Sequence, residues 1–122
     1  MQGTWTLESF ELEKDGQRTP WGTRANGLLI YTATGHMSVS INKAIENDTS
    51  QTDLENVFDS VLFYSGTYQV EGDLIRHQVT NASNPARVGK EMIRYAKLEG
   101  DKLTLTTPNE SFGRAILVWK RA

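Results

Sequence analysis

Chemistry in this chain has few places to come from. It holds two histidines, His36 and His77, and no cysteine. Thiolate catalysis, disulfide stapling and cysteine metal sites are therefore excluded. An imidazole titrating near ~6.5 suits proton transfer close to neutral pH, so a histidine aimed into a pocket is the first candidate for acid–base work. The run 74–81 alternates, with Ile75, His77 and Val79 on one face and Leu74, Arg76, Gln78 and Thr80 on the other. The second face is the more polar, so His77 is expected to point inward. In 91–98, Met92, Arg94, Ala96 and Leu98 share a face, which carries Arg94 inward among apolar neighbours.

Each of these residues has a functional and a structural reading. An uncompensated buried charge costs several kcal/mol, so Arg94 needs a partner. Either it holds an anionic or carbonyl oxygen of a ligand, or it pairs with a buried tyrosine or Glu11 and closes the fold. His77 is either a general base or a core imidazole satisfied by Tyr68. In 64–71 the inward set is Tyr64, Gly66, Tyr68 and Val70, and in the last run it is Ala115, Leu117 and Trp119. The run 36–41 stays open: Met37, Val39 and Ile41 face in, or His36, Ser38 and Ser40 do. The candidate ligand-binding residues are Tyr31, Ser38, Phe58, Tyr68, His77, Arg94 and Trp119. In an enzyme, His77 and Arg94 would be the catalytic pair, one moving a proton and the other stabilising developing negative charge.

Other chemical signatures are missing. Two histidines on separate strands, without a carboxylate at ligand spacing, predict no metal site. There is no G-x-S-x-G, no P-loop and no G-x-G-x-x-G. Asp53, Glu55 and Asp59 fall on the polar face of a helical pattern, where the first two favour its N-terminus.

The elements that must position these residues are mostly strands. Alternating or β-branched runs at 4–14, 28–32, 36–41, 64–71, 74–81, 91–98, 103–107 and 114–121 are separated by turn signals, including Asp15-Gly16 and Gly72. About eight strands joined by short turns, with no βαβ alternation, predict an antiparallel up-and-down barrel, which closes its own edges and can enclose one small ligand. The exception is one helix between the third and fourth strands. Thr52-Asp53-Leu54-Glu55 is a capping box, and Leu54, Val57, Phe58, Val61 and Leu62 follow at helical spacing. That apolar face either plugs a barrel mouth as a lid, with 42–51 as its loose hinge, or lies on the outer wall.

Bulk properties bound the rest. A chain of 122 residues with 38% hydrophobic and 23% charged residues is one ordinary globular domain. Net charge is −2, and no basic stripe marks a nucleic-acid partner. No segment is long and apolar enough to span a bilayer. The first residues run directly into a strand with no basic, then apolar, leader, so the expected location is the cytoplasm.

Gly3-Thr4-Trp5 opens the first strand as the G-x-W element opens lipocalins and other calycin barrels. Further matches in order and spacing are Gly27-Leu28-Leu29-Ile30-Tyr31, Gly35-His36-Met37-Ser38-Val39, Tyr64-Ser65-Gly66-Thr67-Tyr68, Arg94-Tyr95 and Gly100-Asp101-Lys102-Leu103-Thr104-Leu105-Thr106. On these the chain resembles the lipocalin-like domain family over nearly its whole length. The resemblance implies an all-β barrel with Trp5 across its closed end and Lys120 or Arg121 over the indole. It also brings in haem-binding barrels, but no histidine in the last strand offers an axial ligand, so no cofactor is expected. Related barrels in natural-product pathways act as cyclases or isomerases.

Three functions follow from these readings. The barrel binds a small, largely apolar molecule, with His77, Arg94 and Tyr68 orienting its polar end. Or the same pocket performs an isomerisation, cyclisation or dehydration. Or the interior is filled by its own side chains and the domain serves interaction. The expected state is a monomer or a homodimer.

Overall fold

The computed structural model describes residues 1–44, 60–110 and 113–122. Among them nine antiparallel strands form one sheet. They are β1 (Gly3–Lys14), β2 (Gln17–Pro20), β3 (Asn26–Tyr31), β4 (His36–Asn42), β5 (Val61–Glu71), β6 (Leu74–Ala82), β7 (Glu91–Glu99), β8 (Lys102–Thr106) and β9 (Arg114–Arg121). From β3 to β9 each strand pairs with its sequence neighbour, and β1 pairs with both β3 and β9. The sheet thus closes into an eight-stranded up-and-down barrel. The short strand β2 is a hairpin arm on the distal half of β1, from Glu11↔Pro20 to Lys14↔Gln17. Its turn is Asp15-Gly16, with both residues at positive φ (54° and 79°), the twist that a two-residue hairpin loop requires.

Strand alternation decides the interior. Met37, Val39 and Ile41 are buried, which resolves the open choice on β4, and Ile75, His77 and Val79 are buried on β6. The β1 strand changes phase: Trp5 and Leu7 face the core at odd positions, Phe10 and Leu12 at even ones. The cause is a bulge between Leu7 and Ser9 in the β1–β9 register, because one unpaired residue turns every later side chain to the opposite face.

Several expectations need correction. Val61 and Leu62, read as part of a helix, are the first residues of β5 and pair with Asn42 and Ile41. Pairing with β4 overrides their helical spacing. The remainder of that helical pattern, Leu54, Val57 and Phe58 included, lies outside the described residues. The one helical element among the described residues is a single 3₁₀ turn, Pro85–Arg87. Val70 and Leu98, expected inside, are each 46% exposed. Both sit next to hairpin turns, at Val70↔Ile75 and Leu98↔Leu103, where the strands run on past the end of the core.

One end of the barrel is shut by Trp5, which is fully buried. Its Nε1 donates to the Met1 carbonyl oxygen (3.3 Å), and the Arg121 guanidinium lies 4.2 Å above its ring. Arg121 Nη1 also donates to the Gln2 carbonyl oxygen (3.1 Å). Gly3 is at φ +135°, and a Cβ there would meet Arg121 Nη1 at 2.8 Å. Glycine, indole and guanidinium therefore form one unit, with Arg121 rather than Lys120 in the basic role. No helix among the described residues is long and apolar enough to cross a membrane.

Candidate functional site

Toward the other end the described residues leave the barrel interior unfilled. A cavity of about 300 Å³ lies between Phe10 and Leu12 of β1, Val39 and Ile41 of β4, Leu105 of β8, and Ala115, Leu117 and Trp119 of β9. The wall is chiefly apolar, as small-molecule pockets are. Trp21 stacks on Phe10 at the rim (centroids 4.6 Å apart, 15° between planes), with the Lys43 ammonium 4.5 Å from its ring. Its backbone N–H donates to the Phe10 carbonyl oxygen (2.9 Å), which ties the chain after β2 to the barrel mouth.

Polar groups reach this space from β5, β6, β7 and the 3₁₀ turn (Tyr64, His77, Arg94 and Arg87) and from the segment after β8 (Thr107 and Glu110). His77 is 1% exposed and spans two phenols, with Tyr31 Oη 2.6 Å from Nε2 and Tyr64 Oη 2.7 Å from Nδ1. Both ring nitrogens are satisfied, so the imidazole is fixed in place. Burial, aided by the Arg94 charge, pushes its pKa down to about 3, so it is neutral at any ordinary pH. Burial also raises Tyr31 well above the usual phenol value, with the Tyr64 phenol adding to it and Arg94 opposing. Tyr64 is raised by burial too, against the pull of Arg94 and Arg87.

Arg94, half-buried on β7, donates from Nη1 to the Ile93 carbonyl oxygen (2.8 Å) and lies beside the Tyr64 hydroxyl. Among the described residues it makes no ion pair, and Glu11 lies instead near Arg18 (3.8 Å). Trp119 Nε1 is buried and has no hydrogen-bond partner among the described residues. An unsatisfied buried N–H costs about 1–3 kcal/mol, so its place on the cavity wall is notable.

Of the expected ligand contacts, His77, Arg94 and Trp119 line the cavity together. Tyr31 is buried behind His77 and reaches the cavity only through it. Tyr68 packs on Tyr31 (4.7 Å between centroids) and donates to the Thr32 carbonyl oxygen (2.8 Å), so it supports the site from the closed end. The partners of His77 are thus Tyr31 and Tyr64, not Tyr68. Ser38 belongs to the outer face: it sits between buried Met37 and Val39, and strand alternation turns it away from the cavity. Phe58 lies outside the described residues.

Two further contributors, Tyr64 and Arg87, line the cavity. The alternation of 64–71 marks Tyr64 as inward, but nothing in the sequence marks it as part of the site. Arg87 lies on the 3₁₀ turn, where Asn84 caps Ala86 N–H (3.1 Å) and Pro85 takes the first helical position. Asn84-Pro85 marks that turn, but nothing local says which way Arg87 points.

Among solved structures, fatty-acid-binding protein 1 of Echinococcus granulosus is similar over 100% of this chain and 97% of its own, at 13% identity and a TM-score of 0.49. A variant of the fluorescent protein UnaG is similar over 100% and 96%, at 12% identity and a TM-score of 0.46. No curated protein matches the sequence. The sequence profile of the lipocalin-like domain matches residues 2–122, the whole barrel from the strand bearing Trp5 to the end of β9. On that match, the chain belongs to the lipocalin-like domain family.

Proposed function

We propose that this protein binds one small, largely apolar molecule inside the barrel, with its polar end at Arg94, Tyr64 and Trp119. The observation that carries this reading is the cavity of about 300 Å³, apolar over most of its wall with a few polar side chains in its lining. A protein filled by its own side chains has no such space, since interiors pack to crystal-like density. The cavity also gives the unpartnered indole N–H of Trp119 a role, because a ligand oxygen there would satisfy it. The reading takes the protein as cytoplasmic, in keeping with a chain that has no cysteine.

An acid–base reaction run by His77 is the weaker reading. Its two nitrogens are engaged by Tyr31 and Tyr64, and a group neutral down to about pH 3 is a poor base near neutrality.

Titration with the neutral fluorophore N-phenyl-1-naphthylamine tests the proposal. Saturable one-to-one binding is expected, lost in Ala115→Phe and in Leu117→Phe, each of which projects a ring into the cavity. Folding of both variants is checked by circular dichroism. Undiminished binding to two folded, cavity-filled variants would rule the interior site out.

A further inference from the structure

The reading above leaves the polar end of the ligand open, and three side chains narrow it. Arg87 and Arg94 come from different elements, a 3₁₀ turn and β7, yet both line the cavity. Neither makes an ion pair among the described residues, unlike Arg18, Arg76 and Arg114, each of which pairs with a glutamate. The Tyr64 hydroxyl lies within the field of both guanidiniums.

The proton on Tyr64 can be followed by counting. A neutral imidazole has one N–H and one acceptor nitrogen. Two phenols flank His77, so one must donate to it and the other must accept from it. Tyr31 is sealed behind His77 with no other hydrogen-bond partner for its hydroxyl among the described residues, so a free Tyr31 hydrogen would be a stranded buried donor, and the oxygen that accepts is that of Tyr64, on the cavity wall. Tyr31 then donates to Nε2, and Nδ1–H donates to Tyr64. The hydrogen of Tyr64 is left free, on a residue that lines the cavity, as Tyr31 does not.

We infer that the polar end of the ligand is a carboxylate, held by Arg94 and Arg87 with a hydrogen bond from the Tyr64 hydroxyl. This rests on the interior-binding reading and deepens it. Two fixed positive charges and a free O–H match a planar anion with two acceptor oxygens, and charge-assisted bonds of this kind are the stronger ones. A neutral alcohol or ester would leave both half-buried guanidiniums without a counter-charge at the cavity. One carboxylate, Glu110, also lines the cavity; it is exposed and makes no ion pair with either arginine among the described residues. Lys43 sits over Trp21 at the rim and adds positive charge. His77 carries none.

Displacement of bound N-phenyl-1-naphthylamine by decanoate, decanol and decylamine decides the matter. Decanoate is expected to bind roughly 10-fold or more tightly than decanol, and decylamine weakest. The decanoate-to-decanol ratio should fall toward one in Arg94→Gln, in Arg87→Gln and at high salt, and partly in Tyr64→Phe. Equal displacement by decanoate and decanol, with the fluorophore bound inside, would overturn the carboxylate assignment and leave the interior site standing. A wild-type protein that does not bind the fluorophore in its interior overturns both.

Discussion

The Tyr64 hydroxyl sits 2.7 Å from Nδ1 of His77, and both groups are shielded from water. This contact joins β5 to β6 inside the barrel and continues through Nε2 to Tyr31 on β3. A polar link across an oily interior makes stability depend on pH in a predictable way.

The folded protein holds His77 neutral, with a pKa of about 3 against 6.5 for the free side chain. Below pH 6.5 the unfolded chain binds a proton that the folded chain refuses. Stability from this residue is therefore complete above 6.5 and is lost as pH falls, by up to about 1.4 kcal/mol per pH unit. Urea unfolding between pH 5 and 6.5, above the ordinary carboxylate range, should show that slope. His77→Gln, which still offers a donor and an acceptor but does not titrate, should flatten it. An unchanged slope in the variant would assign the dependence to other groups.

Removing either phenol oxygen strands one imidazole nitrogen in an apolar setting. Tyr31→Phe and Tyr64→Phe should each destabilise by about 1–3 kcal/mol in chemical denaturation. A Tyr68→Phe change frees only the Thr32 carbonyl at the half-buried end and should cost less.

At the closed end, Arg121→Ala should cost about 1 kcal/mol through loss of the guanidinium over Trp5. Gly3→Ala should also destabilise, because it strains a positive-φ site and pushes against Arg121 Nη1. Thermal melts of the two single variants and the double variant separate these effects. If they share one unit, the double variant should lose less than the sum, since Arg121→Ala removes the atom that alanine at 3 would strike.

Gly66 is buried where β5 and β6 shift register, and a Cβ there would overlap the Gln78 carbonyl oxygen. Gly66→Ala should cost more than about 2 kcal/mol or prevent folding, since backbone rather than a flexible side chain must yield. A melting temperature within a degree or two of wild type would mean the strands separate more easily than the register implies.

Much of this architecture was legible because strands have a period of two. Ile75, His77 and Val79 alternate cleanly, so the inward aim of His77 followed from residue types alone, as did that of Arg94 on β7. The β4 strand was ambiguous because Met-Ser-Val-Ser offers small polar residues on one face and apolar ones on the other, and only the location of the core settles that choice. Helical spacing misled at Val61 and Leu62, where pairing with Asn42 and Ile41 is a non-local effect that no window of sequence contains. The partners of His77 were equally hidden: Tyr31 is 46 residues away and Tyr64 is 13, and closure of the barrel brings the three together. The direction of Arg87 is not legible in sequence, because a single 3₁₀ turn has no periodicity from which to read it.

The interior site has one direct test. Isotope-filtered nuclear Overhauser spectra of labelled protein with one equivalent of unlabelled N-phenyl-1-naphthylamine report which methyl groups the molecule touches. Contacts to Val39, Leu105 and Leu117 are expected, because these line the cavity. Contacts confined to Val70 and Leu98, exposed beside the hairpin turns and outside the cavity, would contradict the account.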